Sequence, residues 1–172
     1  GCRLSLHPPH RTKAVHFRLS GPVVQRLLSA FAFAWQFSWR ELLDEEVWFP
    51  PVDDAGPLYA RGIPDGPDED FEALLFTFIG AIAQARRRLR IVTPYFLPDP
   101  PVIDALKVAA LRGVDVEIVL PSRSNLQTVQ WAQTAQLGQL LRGCKVYLTP
   151  PPFDHSKLFT VDGEWALIRS SN

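Results

Sequence analysis

The chain has 172 residues, 47% of them hydrophobic, which is enough to bury a substantial core in a single domain. Its 18 basic residues balance 18 acidic residues, and this neutral total argues against a broad basic surface for nucleic acid. Two cysteines are too few for a disulfide framework or a cysteine-ligated zinc site, so we expect no structural metal. No cofactor is expected either.

Residues 1–57 are predicted to form an N-terminal region. Residues 1–13 lack periodicity and are interpreted as an extended arm, and the alternation across Ala14–Leu19 predicts a half-exposed strand. Ser20 and Pro22 then begin a long helix that runs to about Leu43. Aromatic residues crowd its second half. Few basic residues accompany them, which favours packing in a core over anchoring at a membrane surface. An acidic, proline-rich connector follows.

No part of the sequence is predicted to cross a membrane. No apolar run approaches the roughly 20 residues that a membrane-spanning helix needs, and the start lacks the apolar core of a signal peptide. We therefore expect the chain itself to be soluble. Because it begins with Gly1 and not with methionine, we interpret it as a piece of a larger protein.

Residues 58–172 are predicted to form an α/β unit that folds together with the N-terminal region. Its predicted elements are strands at 58–61, 90–93, 114–120 and 145–148 and helices at 71–88, 102–112 and 126–141. Their alternation predicts a mixed, mostly parallel sheet flanked by helices on both faces. Ligands of such sheets bind beyond the carboxyl ends of the parallel strands. We expect the loops there to border one cleft, with these possible lining residues: Tyr95, Phe96, Ser124 and Phe153.

The end of the chain is predicted to form a β-hairpin. Two short β-prone runs, 158–161 and 165–168, are separated by Asp162-Gly163, a dipeptide that suits a type I′ turn. A two-residue loop would pair Val161 with Glu164 and would thereby fix the register of the whole hairpin.

This register predicts a polar face. Counting outward places His155 opposite Ser170, with Lys157 and Asn172 on the same face, whereas Arg169 would point away from it. An imidazole beside an ammonium suits chemistry on a phosphate. The imidazole can attack phosphorus or transfer a proton, and the ammonium offsets negative charge.

The spacing of these residues resembles the signature of the phospholipase D superfamily. That signature is His-x-Lys, four residues, Asp, six residues and Gly-Ser-x-Asn, and its matching residues here are His155, Lys157, Asp162, Ser170 and Asn172. Its glycine is replaced by Arg169, at a position where main chain can come near a ligand. The stretches 16–22, 93–99 and 110–116 resemble bacterial cardiolipin synthase-type members, so the likeness covers roughly residues 14–172.

The resemblance implies a metal-independent phosphodiester exchange on a phospholipid such as phosphatidylglycerol, through a phosphohistidine intermediate. His155 would be the nucleophile or the general acid, and Lys157 and Asn172 would hold the phosphate, supported by Ser170. Asp162 belongs to the catalytic signature, but its place in the turn favours a structural role. Such proteins carry two signatures. The chain therefore resembles a C-terminal half that a missing N-terminal half or a second copy would complete, on the cytoplasmic side of a bacterial inner membrane.

Two other functions stay open. The same chemistry on a nucleic acid would make the chain a metal-independent nuclease that acts as a symmetric dimer, although its neutral charge argues against this partner. The replacement by Arg169 and the missing half also allow a non-catalytic fragment that binds a lipid or a phosphate.

Overall fold

A computed structural model describes residues 12–63, 72–123, 127–140 and 143–169. The secondary structure in these ranges is, in chain order, β1 (Thr12–Lys13), α1 (Val23–Trp39), α2 (Glu45–Trp48), α3 (Ala73–Gln84), β2 (Arg88–Val92), α4 (Pro100–Leu111), β3 (Asp115–Pro121), α5 (Gln127–Leu137), β4 (Lys145–Thr149), β5 (Phe153–Asp154), β6 (Leu158–Val161) and β7 (Trp165–Ile168). The chain divides into an N-terminal unit, His16–Ala73, and a sheet unit, Gly1–Val15 with Leu74–Asn172. The boundary that we predict from the sequence lies after residue 57.

Within the N-terminal unit, helix α1 carries the aromatic run but buries none of its residues. The helix ends at Trp39, short of the predicted end, because Arg40 takes a left-handed conformation with a φ of 53°. Phe31, Trp35 and Trp39 contact one another ring to ring, at centroid distances of 5.8 and 5.7 Å. Phe37 is nevertheless 83% exposed. The predicted core packing is therefore wrong for the described residues, because aromatics at every second position of a helix point to several sides.

Two strands predicted near the start are absent from the described residues. Neither Ala14–Leu19 nor Leu58–Arg61 forms one, although the first stretch alternates as a strand would. Thr12–Lys13 pairs instead with Phe153–Asp154 in a two-stranded parallel sheet. Alternation alone does not make a strand, because its backbone groups need a neighbouring strand or another partner.

The main sheet has the strand order β4-β3-β2-β6-β7. Strand β3 is parallel to both β2 and β4, whereas β6 is antiparallel to both β2 and β7. Helices α4 and α5 connect the parallel strands, as expected for crossover connections. The predicted α/β class with a mixed sheet is confirmed.

One face of this sheet carries the hydrophobic core. The sheet residues of the core alternate along each strand and are Leu89, Ile91, Val116, Ile118, Leu120, Phe159 and Val161. Helices α3 and α4 add Ile82 and Leu106 to the same cluster. Burial of a ring such as Phe159, which is 1% exposed, contributes about 2 kcal/mol. On the opposite face, Arg90 and Glu117 form an ion pair at 2.6 Å.

The hairpin of β6 and β7 turns at Asp162 and Gly163, as predicted. Both residues have a positive φ, 56° and 81°, and the N–H of Glu164 donates to the carbonyl of Val161 at 3.1 Å, as in a type I′ turn. The register nevertheless differs by one residue from the prediction. Val161 pairs with Trp165, so Glu164 belongs to the loop.

Packing against the core explains this shift. In the observed register Trp165 and Leu167 lie on the same face as Phe159, and the Trp165 ring meets the Phe159 ring edge-on at 5.7 Å. The predicted register would have turned both residues to the opposite face and put Glu164 on the core face. The apolar pattern thus overrides the simplest loop length.

The shift changes what lies opposite the candidate catalytic lysine. Arg169 stands opposite Lys157, and its N–H donates to the Lys157 carbonyl at 3.2 Å. The predicted register would have paired Lys157 with Ile168 and Ser156 with Arg169, and both pairs are therefore wrong. Because cross-strand partners share a face, Arg169 lies on the Lys157 face and not on the face that points away from it.

Candidate active site

His155 and Lys157 lie on the segment between β5 and β6, and their side chains are in contact. The Lys157 Nζ is 3.3 Å from Nδ1 and 3.2 Å from Nε2 of His155, and 3.4 Å from the His155 carbonyl oxygen. Lys157 is 7% exposed and His155 is half-buried. The structure therefore brings together the imidazole and the ammonium that the sequence singles out.

The ammonium lies over the imidazole ring and not at its edge. A group almost equidistant from both ring nitrogens cannot lie in the ring plane on that side, because the Cε1 that joins them occupies this position. The in-plane direction of each ring nitrogen therefore points away from Lys157. A nitrogen of His155 can face a phosphorus atom or a leaving oxygen while Lys157 stays beside the ring.

Two aromatic rings border the imidazole. The ring centroids of Tyr95 and Phe153 lie 6.3 and 6.1 Å from that of His155 and 6.0 Å from each other. Tyr95 follows β2 and Phe153 belongs to β5, after β4, so both approach from the carboxyl ends of parallel strands. This wall is partly apolar and leaves His155 half-buried.

The surroundings lower the pKa of His155 below its ordinary value. Burial is the larger cause, because it penalises the charged imidazolium, and the positive charge of Lys157 is the next. Asp154 acts in the opposite direction but does not offset them. At neutral pH the imidazole is therefore neutral, which is the form that attacks phosphorus or accepts a proton.

Asp162 lies in the turn, and its carboxylate holds the start of β2. It accepts hydrogen bonds from the backbone N–H groups of Arg86, Arg87 and Arg88 at 2.9, 2.8 and 2.7 Å. These bonds hold the pKa of Asp162 below its usual range. The geometry therefore gives Asp162 a structural task at the turn.

Arg169 packs within the same unit against a ring of helix α3. Its guanidinium carbon lies 5.0 Å from the centroid of Phe78, and Phe78 stacks on Phe159 at 5.1 Å. The arginine that replaces the signature glycine is thus held by a cation–π contact at the end of the core.

The remaining candidate residues are not part of this contact. Phe96 is 4% exposed and belongs to the hydrophobic core, so its ring lines no opening. Its N–H donates to the Oε1 of Gln133 at 3.0 Å. Ser124, Ser170 and Asn172 lie outside the described residues.

Sequence reasoning missed two buried polar residues near the site. Gln133 is 6% exposed and fixes the loop after β2 through its bond to Phe96. Ser156 is 5% exposed and lies between His155 and Lys157. Nothing in the sequence distinguishes Gln133 from the other polar residues of its helix. Ser156 could have been singled out, because it lies between the two candidate catalytic residues.

The carboxyl ends of the parallel strands leave little internal space. A cavity of about 10 Å³ there has room for about one water molecule, and it is lined by Val92, Thr93, Val119, Leu120, Pro121, Thr149 and Asp154. Within the described ranges, no group of three or more His, Cys, Asp or Glu side chains is arranged to hold a metal ion. No helix of the described chain is both long and apolar enough to span a membrane.

Comparison with known proteins identifies similar sequences. The family model described as "Cardiolipin synthase, PLD-like domain" matches residues 78–172. Cardiolipin synthase 2 of Staphylococcus epidermidis is 35% identical over 160 residues, covering 91% of this chain and 33% of that protein. The major cardiolipin synthase of Bacillus subtilis is 34% identical, with the same two coverages. The chain thus spans about one third of the length of these relatives.

One solved structure is similar to part of this chain. Nuc from Salmonella typhimurium, a phospholipase D family member, has a TM-score of 0.45 and 27% sequence identity. The match covers 56% of this chain and 60% of that one.

Proposed function

The chain belongs to the family of cardiolipin synthase PLD-like domains, and from this premise we propose that it carries one of two catalytic halves of a phosphatidyl transferase. The substrate is a phospholipid with a phosphodiester, such as phosphatidylglycerol, at a membrane surface. The product depends on the acceptor: a second phosphatidylglycerol gives cardiolipin, and water gives phosphatidic acid.

The reaction proceeds in two displacements at phosphorus. In the first, the imidazole nitrogen of one histidine bonds to phosphorus, and the bond from phosphorus to the alcohol oxygen breaks. The other histidine donates the proton to the leaving oxygen. One of these two histidines is His155, and its counterpart comes from the completing half. In the second displacement the acceptor alcohol gives its proton to the histidine that protonated the leaving oxygen and displaces the imidazole from phosphorus.

The contact between His155 and Lys157 carries this proposal. A neutral imidazole and a buried ammonium within 3.3 Å of each other combine a nucleophile or proton carrier with a charge that offsets the phosphate oxygens. Ser170 and Asn172 are proposed as further phosphate ligands from the signature. Asp162 is assigned to the turn, because its carboxylate is occupied by three backbone N–H groups.

The aromatic wall supports a lipid substrate. Tyr95 and Phe153 offer ring surface next to the imidazole, where the apolar part of a phospholipid can pack while its phosphate meets Lys157. We propose that catalysis needs a second histidine from a completing half or from a second copy of the chain.

Turnover on vesicles tests the proposal. The chain, alone and joined to the completing half of a relative, is incubated with phosphatidylglycerol vesicles in the presence of a chelator, and cardiolipin, phosphatidic acid and free glycerol are measured. We expect turnover only with the completing half, and its loss in His155→Ala and Lys157→Ala. Thr160→Ala, on the neighbouring strand β6, is the matched control.

The same proteins, incubated with phosphatidylglycerol or with DNA, distinguish the proposed transferase from a nuclease. A completed protein that releases no glycerol from phosphatidylglycerol would overturn the proposal, and cleavage of single-stranded or duplex DNA by the chain alone would favour the nuclease. A rapid alkaline quench followed by mass spectrometry locates the phosphoryl group. A phosphoryl group on His155 would assign this residue as the nucleophile. A phosphoryl group on the other histidine would assign His155 as the general acid.

A further inference from the structure

A short segment from the start of the chain pairs with the backbone that leads into the candidate site. Strand β1 runs parallel to β5, with Thr12 opposite Phe153 and Lys13 opposite Asp154. The N–H of His155 donates to the carbonyl of Lys13 at 2.7 Å. The backbone of the candidate catalytic histidine is therefore held by a residue about 140 positions earlier in the sequence.

Ser156 continues this attachment on the other side of the histidine. Its side-chain oxygen accepts a hydrogen bond from the N–H of Val15 at 3.1 Å, and its own N–H donates to Oδ1 of Asp154 at 2.9 Å. Ser156 is 5% exposed, so its hydroxyl has little access to water. Loss of this acceptor would leave the Val15 N–H without its partner on Ser156.

We propose that Thr12–Val15 is a strap that positions the His155 imidazole, and that Ser156 is the positioning residue through which the strap acts. This inference rests on the proposed function, since it concerns the same histidine. The strap holds three consecutive residues. Asp154 is held by the strand pairing with Lys13, His155 by its backbone hydrogen bond to Lys13, and Ser156 by its side-chain hydrogen bond to Val15.

The segment needs such support because of where it lies. Residues 155–157 connect β5 to β6 and belong to neither strand. Lys157 is tied to Arg169 at the end of β7, but the described bonds of the main sheet do not reach His155 and Ser156. Lys157 contacts both ring nitrogens of His155. A rotation of the backbone at Ser156 would therefore change the position of the His155 ring relative to the Lys157 ammonium. An in-line displacement tolerates little misplacement, because about 1 Å can cost a factor of about 100 in rate.

Three variants test the strap in the full chain. Ser156→Ala removes the acceptor, Val15→Pro removes the donor, and the double variant combines them. Each single change should speed hydrogen exchange of the His155 amide about fivefold, the factor that corresponds to one neutral hydrogen bond. The double variant should be no worse than either single one, because both remove the same bond. Ser156→Thr, which keeps the hydroxyl, should restore the exchange rate.

Kinetics of the completed protein provide the second measurement. Ser156→Ala and Val15→Pro should lower kcat about 10- to 100-fold with KM unchanged, because substrate still binds but the ring is misplaced. Thr160→Ala, on the adjoining strand β6, is the control for a general loss of stability, and it should change neither kcat nor the exchange of the His155 amide.

The two measurements fail separately. Unchanged kcat and unchanged exchange in both single variants of an active protein would overturn the strap. If the unaltered protein shows no turnover but Ser156→Ala still speeds exchange of the His155 amide, the proposed function is wrong and the strap is retained. Faster exchange with full kcat would show that the strap orders the backbone without positioning the imidazole.

Discussion

His155 and Lys157 show how strongly position decides the chemistry of a side chain. The histidine is half-buried beside a cation, and both conditions favour the uncharged ring. The lysine places its ammonium over that ring, where it can meet the oxygens of a phosphate without blocking the in-plane nitrogens. At the scale of single residues, the site is therefore prepared for an anion next to a neutral base.

The first prediction concerns the titration of His155. Its pKa lies below the ordinary value of about 6.5, and Lys157→Met should raise it by removing the cationic neighbour. The value should stay below that of an exposed histidine, since burial is the larger cause. NMR titration of the imidazole carbons, assigned with His155→Gln among the four histidines, measures the shift. An unchanged pKa in Lys157→Met would contradict the observed contact.

The lowered pKa of His155 also makes the stability of the fold depend on pH. Because the folded His155 binds a proton less readily than the unfolded chain, it destabilises the fold as the pH falls below about 6.5. The loss develops down to the folded pKa and then stops growing.

Arg169 gives the second prediction at this scale. Its guanidinium lies on the Phe78 ring, and Arg169→Met keeps the aliphatic stem but removes the cation. We expect the free energy of unfolding to fall by about 1 kcal/mol, the middle of the range for a partly buried cation–π contact. Denaturant unfolding measures it, and Arg86→Met, at an exposed position, should be close to neutral. Equal losses in both variants would mean that the ring contact contributes nothing.

At the scale of elements, the hairpin turn joins the site strand to the rest of the sheet. The N–H of Asp162 donates to the Arg88 carbonyl at 2.9 Å, while its carboxylate accepts from the residues that begin β2. The turn therefore fixes β6, and with it the segment that carries Lys157, against the central strand of the sheet.

Gly163 provides the third prediction. Its φ is 81°, and a Cβ there would meet no atom within 4 Å, so the cost of Gly163→Ala is that of the backbone alone. We expect a loss of about 1–2 kcal/mol in unfolding free energy. Gly80→Ala is the matched control, because this glycine is in helix α3 with the same open space and no positive φ. It should stabilise by about 0.5–1 kcal/mol, and equal signs would refute the argument.

The fourth prediction is the pH dependence that Asp162 confers. Its folded pKa is depressed by backbone hydrogen bonds, so it stabilises the fold above the unfolded pKa, about 3.9, and this stabilisation is lost as the pH falls through the folded pKa. Asp162→Asn tolerates the positive φ but lacks the charge. Its Tm should lie below that of the unaltered chain at pH 7, and the difference should shrink in acid. Asp53→Asn, in an exposed loop, should show no such trend.

Sequence periodicity predicts the helices and strands whose own residues carry the pattern. The alternation of strand and helix from residue 88 to residue 149 is present in the sequence, and the structure shifts its bounds by only a few residues. The contact of His155 with Lys157 also follows from their spacing. The hairpin register did not, because it depends on matching Trp165 to Phe159 across the strands.

Long-range pairing of very short strands lies outside such reasoning. Strands β1 and β5 have two residues each and carry no alternation that could identify them. Their pairing depends on geometry that the main sheet creates first. The strap on His155 and the burial of Ser156 are therefore visible only in the folded chain.

At the scale of the whole molecule, the buried apolar residues are concentrated in the sheet unit. Every buried hydrophobic residue of the described core lies between Ile82 and Val161. In the N-terminal unit, helix α1 buries no residue and exposes Phe33, Phe37 and Trp39 by 65, 83 and 69%. An isolated helix of this length is marginal in water, because tertiary packing supplies most helix stability.

This distribution predicts two levels of protection against hydrogen exchange. Amides of β2 and β3 lie in the middle of the sheet over the core, so they should exchange only when the sheet unit unfolds as a whole. Amides of α1 should open locally and exchange much faster, by at least about 100-fold, because little buried surface opposes fraying. Mass spectrometry of peptides that cover Val23–Trp39 and Asp115–Pro121 separates the two. Phe159→Ala should speed exchange in the second peptide and leave the first unchanged, since Phe159 belongs to the core of the sheet unit. Equal protection of both peptides in the unaltered chain would show that α1 draws its stability from contacts that its exposed aromatics do not reveal.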